Sequence, residues 1–372
     1  MNIVWMSWKD RSHPLAGGAE AVSGEIMDRL ARDGHTVTLI TSEYPGSLAE
    51  EKMNGVDVIR AGGKYSVYFK ARRIYRNRQK ETAELVIDEM NTIPFASALY
   101  VRAKSALLAY QLARKVWFYQ MAFPLSVIGY LCEPIYLRVI ARKYPTVLTE
   151  SESTRQDMLR NGFKARQVRV FTIGMALKPL ETLPEKAITE NVVLSLGALR
   201  PMKRTLHAVQ AFETARDNQP ELRMVIAGDK SGPYARKVLR YIEDSRHSES
   251  ITVLGRVSNE ERLRLMREAT VILVTSVKEG WGLIVTEANS QGTPAIVYDT
   301  DGLRDSVQNG KTGVLTPDGD PMAMGVAIAQ LLQDDKVYSQ LRQAAWQWSK
   351  QFSFEDSYHS FCREMGIVES TT

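Results

Sequence analysis

Cysteine is scarce in this chain: two in 372 residues, Cys132 and Cys362, far apart and without metal-ligand spacing. That excludes a disulfide framework and favours a reducing compartment. There are five histidines, and with the two cysteines they form no ligand cluster. No low-complexity tract and no solenoid repeat is present. The longest run without charge, Val116 to Cys132, holds Gln120, Pro124, Ser126 and Gly129 and is short for a membrane span, so a buried or interfacial segment is expected. The first residues, Met1 to Met6, run straight into a strand-like pattern with no basic leader, and no secretory signal is expected.

What is present is a chain of ordinary globular composition, 44% hydrophobic and 24% charged, long enough for two domains. Its charge is unevenly spread. Residues 1–190 carry 27 Lys and Arg against 20 Asp and Glu, and the remainder 21 against 23. The basic excess is densest from Lys64 to Lys80, where seven cations meet no acid and Tyr65, Tyr68, Phe69 and Tyr75 are interleaved. No nucleic-acid recognition motif accompanies it.

The pattern alternates strands and helices. Ile3–Met6, a glycine loop through Gly17-Gly18, apolar residues at helical spacing and then Thr36–Thr41 make a βαβ unit, hence a parallel sheet. Further strands are expected at Val56–Arg60, Leu85–Asp88, Ala106–Tyr110, Thr146–Thr149 and Val168–Ile173, with a helix at Ile135–Arg142 and another from Ser151. A second βα series begins at Val192, after a proline-bearing linker from Lys178 to Asn191, and continues at Met224, Ile251, Val271 and Ala295. The C-terminal stretch, Val337 to Met365, reads as helix broken near Ser353.

One stretch concentrates the chemistry. The apolar strand Val271–Val274 leads into Glu279-Gly280-Trp281-Gly282-Leu283, and a helix follows to Gln291, with Glu287 one or two turns in. A helix start offers free N–H groups and a positive dipole end to a phosphate. Acceptor-only carboxylates beside it suit hydroxyl-rich partners such as a sugar and a ribose. Arg200 and Lys203 follow the strand Val192–Leu196, where cations suit a diphosphate. In Leu254-Gly255-Arg256-Val257-Ser258, Ser258 reads as a helix N-cap with Glu261 at the third position. Asn309-Gly310-Lys311-Thr312 ends like a P-loop, but Asp305 stands where its first glycine belongs.

The Glu279-x7-Glu287 spacing resembles the signature of glycosyltransferase family 4. Those enzymes are retaining, use nucleotide-sugar donors and have the GT-B fold: α/β, two Rossmann-like doubly wound parallel-sheet domains with a cleft between them and a C-terminal crossover helix. The resemblance implies an acceptor-binding domain over residues 1–178, a nucleotide-sugar domain over 191–350, and a segment 351–372 returning to the first. By resemblance Lys203 and Arg200 neutralise the diphosphate, Glu279 holds the sugar, Glu287 holds the ribose, and the Val257 backbone meets the base. Gly17, Gly18, Gly280, Trp281, Gly282 and Leu283 line the donor site. The chain departs from the family in two places: Ala198 stands where Arg is usual, and Tyr110 where a His often faces the sugar, so Tyr110 or His13 is a candidate sugar contact. Asp299-Thr300-Asp301 and Asp318-Gly319-Asp320 mimic a metal motif of another fold, and no metal or cofactor is expected beyond a UDP- or GDP-linked sugar as co-substrate. A glycan or lipid-linked acceptor and an anionic membrane surface meeting Lys64–Lys80 are the expected partners, on the cytoplasmic side and without nucleic acid. A sugar-nucleotide epimerase and a non-catalytic partner subunit remain alternatives on the same fold.

Overall fold

The computed structural model describes residues 1–186 and 191–368. Residues 187–190 of the expected linker and 369–372 of the expected C-terminal segment lie outside them. In chain order the elements are β1 (Asn2–Met6), α1 (Gly18–Arg32), β2 (Thr36–Thr41), β3 (Glu50–Met53), β4 (Val56–Arg60), α2 (Val67–Ile74), β5 (Leu85–Met90), β6 (Lys104–Ala109), α3 (Trp117–Gln120), α4 (Leu125–Ala141), β7 (Thr146–Thr149), α5 (Glu152–Arg160) and β8 (Val168–Val170). The second series is β9 (Val192–Leu196), α6 (Thr205–Arg216), β10 (Arg223–Ala227), α7 (Pro233–Glu243), β11 (Ile251–Gly255), α8 (Asn259–Glu268), β12 (Val271–Val274), α9 (Leu283–Ser290), β13 (Ala295–Tyr298), α10 (Leu303–Ser306), β14 (Gly313–Thr316), α11 (Pro321–Leu331) and α12 (Asp335–Ser349), with α13 (Phe354–Met365) last.

The chain divides into two compact units. The first holds residues Met1–Trp117, Phe123–Ala176 and the chain from Phe352 on; the second holds Phe118–Ala122 and Leu177–Gln351. In the first unit an eight-stranded sheet runs in the order β3-β4-β2-β1-β5-β6-β7-β8. All its pairs are parallel except β3 with β4, an antiparallel edge hairpin. That hairpin is absent from the sequence expectation, because Glu50-Glu51-Lys52-Met53 is too charged to read as a strand. The central strands are buried on both faces, as parallel strands under helices must be. Helix α13 docks on this unit: Phe361 stacks on Trp5 at 5.6 Å, and the Tyr358 hydroxyl donates to Asp33 at 2.6 Å.

In the second unit a six-stranded, wholly parallel sheet runs β11-β10-β9-β12-β13-β14. Numbered within the unit, this is the doubly wound order 3-2-1-4-5-6, whose strand order reverses between β9 and β12. Its core packs Val193, Phe212, Met224, Ile226, Leu273 and Tyr298 on one face and Leu194, Ile272, Val285 and Val297 on the other.

One strand boundary changes, and two further stretches take definite form. The strand expected over Val168–Ile173 ends at Val170. The basic stretch forms α2 and a wide helical turn, Tyr75–Gln79. The charge-free run, expected as a buried or interfacial segment, contains the first half of α4, and Phe123, Leu125, Ile128 and Leu131 are all more than half exposed.

Candidate active site at the strand-order reversal

In a doubly wound sheet, ligands bind beyond the carboxyl ends of the strands where the order reverses, because neighbouring connections there leave in opposite directions and open a crevice. In the second unit that point lies between β9 and β12. The loop after β9 carries Gly197 to Arg204, and the loop after β12 carries Thr275 to Gly282. The Lys203 ammonium meets Glu279 Oε1 at 2.6 Å. Residues 76 apart in sequence are thus paired across the crevice. Both remain partly open to solvent, the lysine side chain at 34% and the glutamate at 17%.

Each loop is held by backbone contacts. Thr275 Oγ1 donates to the carbonyls of Lys203 and Arg204 at 2.7 and 3.1 Å, tying the two loops together. The Val277 N–H donates to the Met202 carbonyl at 2.9 Å, and the Glu279 N–H to the Asp301 carbonyl at 3.0 Å. Lys278, nearly buried, reaches Asp301 at 2.8 Å. Gly302 is required where it stands: its φ is +81°, and a Cβ there would lie 2.3 Å from the Glu279 carbonyl oxygen. Gly228, after β10, is similar; its Cβ would fall on the Gly197 carbonyl.

Gly282 adopts φ +95° as the N-cap of α9, so the first N–H groups of that helix follow directly on Gly280-Trp281-Gly282. Trp281 is buried, and Gly280 and Leu283 are half-buried. Glu287 lies further into α9, 7% exposed, with Oε1 accepting from Arg262 at 3.2 Å. Its other oxygen makes no hydrogen bond among the described residues. Burial raises its pKa against the pull of Arg262. Arg262, on α8, has no forerunner in the sequence reading, because a cation in a solvated-looking helix gives no local signal. Val257 is half-buried in the connection ahead of α8. Ser258 caps that helix through the Glu261 N–H at 3.1 Å, but the Glu261 carboxylate turns outward to Arg264, so the capping box is half formed.

Arg200 is exposed at the start of the turn that ends in Lys203; its carbonyl accepts from the Lys203 N–H at 2.9 Å, and no hydrogen bond or ion pair holds its side chain among the described residues. The acids that mimic a metal motif have other work. Asp299 and Asp301 face Arg304, and Asp318 pairs with Arg204.

The remaining candidates belong to the first unit. Gly17 N-caps α1, and its N–H donates to the Glu20 carboxylate at 2.6 Å; Gly18 opens the helix. Glu20 is buried and pairs with Lys9 at 2.8 Å, so this helix start already carries its own neutralised acid. His13 accepts from the Leu15 N–H through Nδ1 and lies edge-on to Tyr44. Burial and the nearby Lys9 lower its pKa. Tyr110, just beyond β6, is 5% exposed. Its hydroxyl lies 2.6 Å from Ser23 Oγ, which donates to Glu89 at 2.8 Å, and Trp5 Nε1 donates to the same carboxylate oxygen. Since Ser23 spends its single proton on Glu89, Tyr110 is the donor to Ser23. The tyrosine hydroxyl therefore faces an internal network, not open solvent. So the residues named from sequence form two groups, one in each unit.

The fold matches known structures. Sucrose-phosphate synthase from Thermosynechococcus elongatus superposes with a TM-score of 0.79 over 98% of each chain at 20% identity. The Anabaena protein Alr3699/HepE, solved with UDP and glucose, superposes with a TM-score of 0.72 over 99% of this chain and 100% of its own, at 17% identity. The fold is GT-B. The profile described as Glycosyltransferase Family 4 matches residues 16–177, and the one described as Glycosyl transferases group 1 matches residues 183–348. The chain belongs to the family-4 glycosyltransferases. Among curated relatives, D-inositol 3-phosphate glycosyltransferase of Corynebacterium efficiens is 33% identical over 44% of this chain and 40% of its own length, so the match spans well under half of that relative.

Proposed function

We propose that this glycosyltransferase takes its sugar from a nucleoside diphosphate donor, UDP- or GDP-linked, and transfers it with retention at the anomeric carbon. The Lys203–Glu279 pair at the strand-order reversal carries the reading. An ammonium there answers a diphosphate, and a carboxylate beside it accepts from sugar hydroxyls. Both partners stay open to solvent in part, and a pair so placed is worth about 1 kcal/mol, so an incoming diphosphate can take the lysine at small cost.

In the proposed reaction the bond between the anomeric carbon and the diphosphate oxygen breaks, and its electrons leave with the diphosphate. The acceptor hydroxyl forms the new bond on the same face, and its proton passes to the departing phosphate oxygen. Lys203, the start of α9 and Arg200 stabilise the developing charge, the main catalytic term. Glu287 holds the ribose hydroxyls through the carboxylate oxygen that Arg262 leaves open. Val257 offers its backbone to the base. No residue is assigned as nucleophile, and no metal is assigned a role.

The acceptor in this reading is a glycan or lipid-linked sugar of cell-envelope or exopolysaccharide synthesis, met at an anionic membrane surface through Lys64–Lys80. In that segment Tyr65 and Phe69 are 68% and 80% exposed, which suits an interface. No helix among the described residues is long and apolar enough to cross a membrane.

Incubation with a panel of nucleotide sugars, with and without candidate acceptors, tests the reading. Release of one nucleoside diphosphate, dependent on Lys203, supports it. A converted sugar still attached to its nucleotide would mean epimerisation. No turnover and no donor binding would mean a non-catalytic subunit.

A further inference from the structure

Helix α4 is anchored on one side and bare on the other. Leu137 and Ile140 pack into the first unit's core with Leu107, Ala109 and Val147. Glu133, fully buried, accepts from the Ala113 and Arg114 N–H groups at 2.8 and 2.6 Å and from Trp117 Nε1 at 3.1 Å. Pro134 removes one helical donor, and Arg114 repairs the loss by donating to the Tyr130 carbonyl at 3.3 Å. The helix is thus held firmly in place.

Its outer side is apolar. Leu125, Ile128, Leu131, Ile135 and Val139 recur at steps of three and four and are 52–61% exposed, with Phe123 at 84% just before them. A soluble surface helix puts polar residues on such a stripe. Exposed Arg138, Arg142 and Lys143 close its far end. From Ala98 to Lys143 the one carboxylate is Glu133, and it is buried.

Helix α2 covers the same face of the sheet. It packs on Val86 and Phe95, α4 packs on Met90, and Val86 and Met90 point to one side of β5. The Tyr136 hydroxyl donates to the Thr92 carbonyl, close to Phe95, against which the ring of Tyr68 of α2 lies tilted, centroids 4.6 Å apart. An apolar stripe with cations at its far end and on neighbouring α2, and with no exposed acid between Ala98 and Lys143 or between Lys64 and Lys80, complements an anionic bilayer. It does not complement a second copy, whose matching face would bring cations and no carboxylate to answer them.

We propose that the outer stripe of α4 lies in the headgroup region of an anionic membrane, its axis in the membrane plane, with α2 supplying cations beside it. The docking is apolar insertion as well as electrostatic attraction. It goes beyond the basic segment invoked above and needs no nucleotide sugar, so it stands or falls apart from the transfer reading.

Cys132 is exposed on α4 and Cys362 is buried, so the full chain accepts one environment-sensitive fluorophore on this helix. The expected result is a blue shift and co-sedimentation with phosphatidylglycerol-containing vesicles. Part of the binding should survive about 0.5 M salt, which screens exposed charges beyond a few ångströms. Leu131→Gln with Ile135→Gln should lower partitioning by about tenfold or more, with the melting curve unchanged. Three results would overturn the proposal: no shift with vesicles, a shift without vesicles that grows with protein concentration (self-association), or binding that salt abolishes and the double variant leaves intact.

Discussion

Lys203 and Glu279 meet at 2.6 Å across the point where the second sheet reverses its strand order. Each group compensates the other while the crevice holds no ligand, and each is the type that a donor's two halves require. Glu279→Gln removes the charge but keeps the shape. It should cut turnover by roughly 10²-fold or more, as loss of a well-placed polar contact in a transition state does. Thermal stability should change little, because both side chains are partly open to solvent. A kinetic comparison of nucleoside diphosphate release, paired with a melting curve, checks both halves.

Glu287 is expected to act on the ribose. Glu287→Ala should weaken donor binding at least about tenfold by calorimetry. Unchanged affinity would remove the ribose role while leaving the Lys203 site standing. Arg262→Ala should weaken binding less, since it acts by orienting that carboxylate.

Gly302→Ala tests the backbone support of the Glu279 loop. The added Cβ would lie 2.3 Å from the Glu279 carbonyl oxygen, at a backbone φ of +81°. The expected cost is about 1–3 kcal/mol of stability together with lost activity. Full activity at wild-type stability would show that the loop tolerates movement.

Glu89 gives the first unit a pH signature. Burial first, then the charge of Glu20, pushes its pKa up from 4.5 to about 7. The folded state therefore binds the proton more tightly than the unfolded one. That stabilisation is whole below about pH 4.5 and is lost as pH rises through 7. Glu89→Gln should flatten this part of the stability curve, measured by denaturant melts from pH 5 to 8. Tyr110, which reaches Glu89 through Ser23, should report the same network: Tyr110→Phe should cost about 1–3 kcal/mol of stability.

Much of this was legible in the chain because parallel strands buried on both faces read as short, unbroken apolar runs. The strand at Val271–Val274, the glycine turn after it and the helix bearing Glu287 all announce themselves locally. The pairing of Lys203 with Glu279 does not; it depends on β9 and β12 being neighbours, a fact of sheet order. The Ser23–Glu89 network likewise joins residues distant in sequence, and Arg262 sits on a helix that looks merely solvated. Tyr110 looked like a stand-in for a sugar-facing imidazole, and only the fold aims its hydroxyl at Ser23. The charge-free run Val116 to Cys132 read as buried or interfacial, and the sequence left that choice open. Nothing local distinguishes a helix face turned to the core from one turned outward.

The central claim is that Lys203 holds a nucleotide diphosphate in the crevice it shares with Glu279. Calorimetric titration of UDP and GDP into wild type and Lys203→Ala, at one fixed salt concentration, tests it most directly. The account predicts binding of one nucleotide to wild type and at least about tenfold weaker binding to the variant. Equal affinity for the two proteins would contradict it.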